Sequence, residues 1–179
     1  MLDGIVLGLV AGLITRGSLA NLASTHLKGE TAIVLLLVIQ LSIPSVASRV
    51  GLSRTVALAL WLVVMAGLVG LAIWNRDAPG MLLAGIGIAM NFLVIGLNAG
   101  MPVSLSAIAR LADEAAAPAF DLLHQALTDE TIAPLLADVI PVPGPAWHRG
   151  VASVGDLLLM TGTGYFVYAS LRGKKASAS

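Results

Sequence analysis

Asp156 is a carboxylate set inside an apolar run, VASVGDLLLMTGTGYF. An ionisable group in that setting is by default a candidate for handling a ligand or a proton, because its charge is costly to bury. The sequence also offers a local way to satisfy it. Ser153 lies three residues earlier, and S-x-x-D is a helix-start pattern in which the acid accepts from the cap residue's N–H and meets the positive end of the helix dipole. A contact to Arg149 is a third option. The options are compatible, since a helix start that concentrates N–H donors is also a place for an anionic group to bind. Asn91 and Asn98, in the apolar stretch NFLVIGLNAGMPVS, need hydrogen-bond partners because an unsatisfied amide in hydrocarbon is expensive. They are either bonds between helices, worth about 0.6 kcal/mol each on average, or part of a binding site at the outer end of a bundle. Gln40 is a third candidate member, or another packing hydrogen bond. Ser104 and Asp138 complete the candidate ligand-binding set.

Other chemistries find little support. There is no cysteine, so thiolate chemistry, disulfides and cysteine metal sites are excluded. His26, His124 and His148 fall in three different connections without metal-ligand spacing. Asp129 and Glu130 with Asp138 read as a solvated acidic surface more readily than as a cation site. Gly85-Ile86-Gly87 lacks the third glycine of a phosphate cradle, and G-x-S-x-G is missing. Neither a catalytic set, a metal, a cofactor nor a nucleic-acid partner is expected.

The elements that must position these groups are apolar. Of 179 residues 58% are hydrophobic and 11% charged, against roughly a quarter charged in a soluble domain. Five apolar runs, Met1 to Thr15, Thr31 to Ala47, Val56 to Trp74, Gly80 to Ala99 and Val151 to Leu171, compare with about 20 residues needed to cross hydrocarbon. The expected fold is all-α: one polytopic membrane domain of about five helices, the first two runs short, with a small external helical cap over 102–150. Gly4, Gly8 and Gly12 put two overlapping GxxxG spacings on one face, for packing within the chain or for self-association. Gly80, Ala84, Gly87, Asn91 and Asn98 share one stripe of the fourth span, small at its inner half and polar at its outer half.

Between the runs, Gly17 to Gly29 carries Leu19, Leu22 and Leu27 at helical spacing and reads as an amphipathic stretch on the inner surface. Pro44 kinks or ends the second helix, NRDAPG makes a tight turn, and Gly100 with Pro102 marks the exit of the fourth. Helix-like pieces are expected around Ser104 to Leu111 and Phe120 to Leu127, and Trp147 as an interfacial anchor. Arg16, Lys28, Arg76, Arg172, Lys174 and Lys175 fall on one side of five spans and Arg49, Arg54, Arg110 and Arg149 on the other. Basic residues near span ends are retained in the cytoplasm, so the N-terminus is expected outside and the C-terminus inside a bacterial cytoplasmic membrane. The acidic segment holding Asp113, Glu114, Asp121, Asp129, Glu130 and Asp138 is then external. The competing count is four spans, with the first run in the interface and the N-terminus inside.

Taken in order, LGLVAGLITRGSLANLASTHLKG, NFLVIGLNAGMPVS, DVIPVP and SVGDLLL resemble a family of small bacterial membrane proteins, domain of unknown function 5317. The family pattern at the asparagine-glycine exit often has two glycines and a basic residue before the methionine and proline. Here Asn98-Ala99-Gly100-Met101 is shorter, so any contact made by that basic residue is absent. The resemblance implies the membrane architecture and carries no activity. Three functions compete: a non-catalytic module recognising a lipid, a small amphiphile or a membrane-protein partner, self-association included; a small-molecule or lipid transporter or flippase component, which would call for repeats and midplane polar groups; and a headgroup enzyme using Asp138 or Asp156 as acid or base, without a nucleophile.

Overall fold

The computed structural model describes residues 2–111, 120–144 and 149–173. Asp113, Glu114, Trp147, His148, Lys174 and Lys175, to which the sequence assigns acidic loop, interfacial anchor, connection and basic tail, lie outside the described residues. Among the described residues seven α-helices and four short strands follow in order: α1 (Leu2–Ile14), α2 (Leu19–Ala23), α3 (Glu30–Val50), α4 (Arg54–Trp74), α5 (Met81–Asn98), β1 (Met101–Val103), α6 (Leu105–Ala109), β2 (His124–Ala126), β3 (Ile140–Val142), β4 (Gly150–Ala152) and α7 (Val154–Leu171), with a 3-10 turn at Pro134–Leu136 between β2 and β3.

Three of them, α3, α4 and α5, are long and apolar enough to cross a membrane. α1 is apolar but only 13 residues long. The second run is not short, as the sequence suggested: α3 has 21 residues and Pro44 lies inside it. Proline removes one N–H from the ladder without stopping this helix. It stops instead at Gly51, whose left-handed φ of 68° turns its own N–H back to the Ala47 carbonyl. Ser53 then accepts from the Val56 N–H and starts α4. The stretch after α1 is less helical than its leucine spacing implied. α2 is one short turn capped by Ser18, and Asn21 and Ser18 tie it to the Leu171 carbonyl at the end of α7.

The long helices stand in a row, α1 beside α7, α7 beside α5, α5 beside α4 and α4 beside α3. Glycine sets the closest approaches. A Cβ on Gly4, Gly8 or Gly12 would run into Met160, the Gly164 carbonyl or Leu171, so α1 and α7 are parallel. On α5, Gly80 meets Gly162 and Gly87 meets Gly155 and Leu159, so α5 and α7 are antiparallel, with Ala84 against Gly162. Larger side chains fill the rest: Leu58 and Met65 of α4 pack with Val94 and Ile95 of α5, and Ile43 and Ala47 of α3 with Ala57, Val64 and Leu68 of α4. The outward faces remain apolar; Leu41 and Val63 are 78% and 70% exposed, with Val6, Leu7, Leu35 and Leu82 alongside. Contiguous apolar surface of this kind marks contact with lipid or protein rather than water.

The segment between α5 and α7 is not the helical cap expected, although the chain as described is mostly helical with few strands. β1 pairs in parallel with β2, β3 pairs antiparallel with β4, and α6 supplies one short helix in place of the longer piece read at Ser104 to Leu111. Phe120 to Leu127, read as helical, contains β2. The reason is Asp121, whose Oδ1 accepts the N–H groups of Leu123 and His124 and diverts the chain into a turn. The cap is joined to the helices by their shared core, in which Met101 and Leu123 pack with Val94 and Ile95.

Candidate functional site

α7 begins with reciprocal capping. Ser153 Oγ accepts from the Asp156 N–H at 2.9 Å, and the Ser153 N–H donates to Asp156 Oδ2 at 3.0 Å. That leaves Oδ1 of Asp156 for Asn91 on α5, whose Nδ2 donates to it at 2.7 Å. The Ser153 hydroxyl in turn donates to Asn91 Oδ1 at 3.0 Å. One carboxamide, one hydroxyl and one carboxylate thus close a ring between two helices, with Ser153 and Asn91 buried. The ring is possible only because Gly155 has no side chain: a Cβ there would fall on Asn91 Oδ1. Gly155 was not marked as a site residue in the sequence, and its only signal is its place between the cap serine and the acid, directly before Asp156.

Asp138 approaches this ring from the cap. Its N–H donates to the Pro102 carbonyl and its own carbonyl accepts from Ser104, a parallel bridge on the free edge of β1. The carboxyl is buried, Oδ1 has no hydrogen-bond partner, and Oδ2 lies 3.9 Å from His124 Nε2. Burial, and then the charge of nearby Asp156, push its pKa up to about 8. On the far side of the imidazole, His124 Nδ1 is 2.7 Å from Asp121 Oδ1. Burial opposes it, yet that bond and the Leu123 and His124 N–H groups hold the Asp121 carboxyl below its usual range. Asp138, read in the sequence with Asp129 and Glu130 as a solvated acidic surface, is instead buried. His124 was read only as a connecting residue and Asp121 only as part of the acidic segment. No spacing signal could have found them, because parallel pairing of β2 with β1 is what brings them to Asp138.

The remaining candidates separate. Asn98 does not join the ring: its amide donates to Ile132 O at 2.9 Å, and its Oδ1 accepts from Ile132 N at 2.8 Å, fastening the cap to the end of α5. Gln125 Nε2 adds a bond to the Asn98 carbonyl. Ser104 caps α6 and shares a hydrogen bond with Ser106. Gln40 sits on α3, whose principal neighbour is α4, and is not brought to the ring; its Oε1 is buried without a partner. Among the described residues no group of three or more His, Cys, Asp or Glu is placed to hold a metal.

What the fold and this seam define is a row of apolar helices, three of them long enough to be membrane-spanning, closed at one end by a β-ribbon cap over a buried carboxamide and carboxyl cluster. The chain belongs to a family of unknown function, DUF5317, whose model matches residues 24–168. A protein of Thermotoga maritima described as an uncharacterized protein is 32% identical over 167 residues, covering 93% of this chain and 89% of that one. No solved structure matches the chain. The family match spans every candidate ligand-binding residue from Gln40 to Asp156 and leaves α1 outside it.

Proposed function

We propose that this is a five-crossing protein of a bacterial cytoplasmic membrane that recognises a lipid, a small amphiphile or a membrane-protein partner at the seam under its cap, without catalysing a reaction. The observation that carries the reading is the closed ring of Asn91, Ser153 and Asp156 beneath a carboxyl, Asp138, with an unpartnered oxygen. Buried polar groups are costly unless hydrogen-bonded; the ring satisfies its own members, and Asp138 Oδ1 is left as an acceptor without a donor. Five crossings are supported by the alternation of directions: the loops at 17–29 and 75–80 meet at one end, where Lys28 and Asn75 exchange hydrogen bonds, and the cap closes the other. The positive-inside rule puts the cap outside, with Arg16, Lys28, Arg76 and Arg172 at the inner end. α1, with 13 residues, then crosses where the bilayer thins or flanking residues complete the span, while α7 is as long as α5.

Native mass spectrometry of the gently extracted protein, wild type beside Asp156→Asn, tests this. A lipid or subunit retained by the wild type and lost from a variant of unchanged melting temperature supports recognition; a destabilised variant that keeps its ligand assigns Asp156 to capping alone. Transport is the second reading. The buried, unpartnered Gln40 Oε1 and Trp61 Nε1 within the apolar helices α3 and α4 are what favours it.

A further inference from the structure

Asp138 is a carboxyl in surroundings that disfavour its charge. Its side chain is 7% exposed and Oδ1 has no partner, while the N–H and carbonyl of Asp138 are held by β1 and Ser104, so its backbone cannot move away without opening the cap. Two titratable groups face it: His124 from β2, with Asp121 behind, and Asp156 from α7. β1 and Ser104 bring no charge. Arg54 of α4 directs Nε to the Leu122 carbonyl and Nη2 to Gln125 Oε1. In the neutral tautomer whose Nδ1–H donates to Asp121, Nε2 carries the lone pair, and Nε2 lies 3.9 Å from Asp138 Oδ2. A shift of about 1 Å brings the pair to hydrogen-bond distance. The ring is 40% exposed, so it meets solvent as well as the buried acid.

We propose that the Asp138 carboxyl is a proton-binding site that latches the cap onto the helices, filled and emptied through His124. The inference rests on the reading of the seam as the functional face. A proton fits where an organic cation does not, because the carboxyl is sealed. When the site is filled, Asp138 is neutral and Asp156 carries the negative charge at the seam, held by Asn91 and the Ser153 N–H. On emptying, the proton leaves Asp138 Oδ2 for the lone pair of His124 Nε2, and the imidazolium releases a proton to solvent. Two carboxylates then share a seam of low dielectric, and their repulsion acts between cap and helices.

The chain has no cysteine, so Ala137→Cys, fully buried beside Asp138, reports opening, and Ala109→Cys on the exposed face of α6 corrects for the thiol's own titration. In detergent after lipid exchange, maleimide labelling at 137 relative to 109 is expected to rise at least about tenfold as the pH passes through about 8, and to stay at its low level when Asp138→Asn is added. Difference infrared spectra of the cysteine-free chain should show a protonated carboxylic acid lost over the same interval and missing from Asp138→Asn. After a pH jump, His124→Gln should reach the same end point at least about tenfold more slowly. An acid band that survives Asp138→Asn, or none in the wild type, overturns the site. A band that titrates while labelling stays constant overturns the latch, and an equally fast His124→Gln overturns the route. The titration is made without lipid, so a seam that titrates yet retains no ligand refutes recognition and leaves the proton site standing.

Discussion

Side-chain amides in this protein replace missing strand partners. Asn98 donates to and accepts from the peptide of Ile132, and Asn75 does the same for Lys28, so each fastens a loop to a helix end with two bonds from one residue. Asn91 differs, since its partners are the side chains of Ser153 and Asp156. The acid left over is Asp138, and its effect on stability has a definite sign. The folded chain keeps the proton up to about pH 8, whereas the unfolded chain releases it near 3.8. Between those values the folded state binds more protons, so its stability falls as the pH rises through the window and the loss is complete above about 8. Asp138→Asn should flatten the profile and raise stability at pH 7 by a few kcal/mol at most. Unfolding midpoints measured from pH 4 to pH 9 check this; parallel profiles for variant and wild type would show that Asp138 is charged when folded.

At the scale of elements, α7 is gripped on two faces by bare backbone. Gly164 meets α1 and Gly162 meets α5, about two turns after Asp156 and its ring. Lipid gives helices no hydrophobic reason to associate, so close backbone contact and polar bonds must do it. Gly155→Ala should therefore cost about 1–3 kcal/mol by displacing the Asn91 amide. Gly70→Ala, where a Cβ meets nothing within 4 Å, should be neutral or stabilise by up to about 1 kcal/mol. Denaturant titration in detergent compares them, and equal effects would mean that packing at Gly155 is loose. The spacing of Gly4, Gly8 and Gly12 could be read in the sequence as one small face, but not that α7 lies against it. Gly155 and Gly162, seven residues apart, share the face that meets α5, whereas Gly164 faces α1; one seven-residue gap between glycines makes no pattern to notice. Phe120 to Leu127 misled for the opposite reason: its apolar spacing looked helical, and one Asp121 carboxylate outweighed it.

The whole molecule makes a prediction about sides. With five crossings, Asp3 and Ala109 lie outside and Asp77 inside. Single cysteines at 3 and 109 should react with an impermeant maleimide in intact cells, and one at 77 only after permeabilisation. Protection at 3 with reaction at 109 would move α1 into the interface and restore the four-span arrangement. Much of this plan was legible from residues close together in the chain. The apolar runs, the Ser153–Asp156 cap, the exit at Asn98 to Pro102 and the tight turn before α5 depend on neighbours a few residues apart, and local hydrogen bonds and hydropathy are properties of such neighbours. What only the tertiary structure decided is which small face meets which, that α3 stands at the end of the row and keeps Gln40 from the ring, and that β1 recruits β2 and Asp138 from distant parts of the chain. Faces of glycine and alanine are nearly interchangeable when read singly, and strand pairing across a long loop leaves no periodic trace, so both are settled by packing the complete chain.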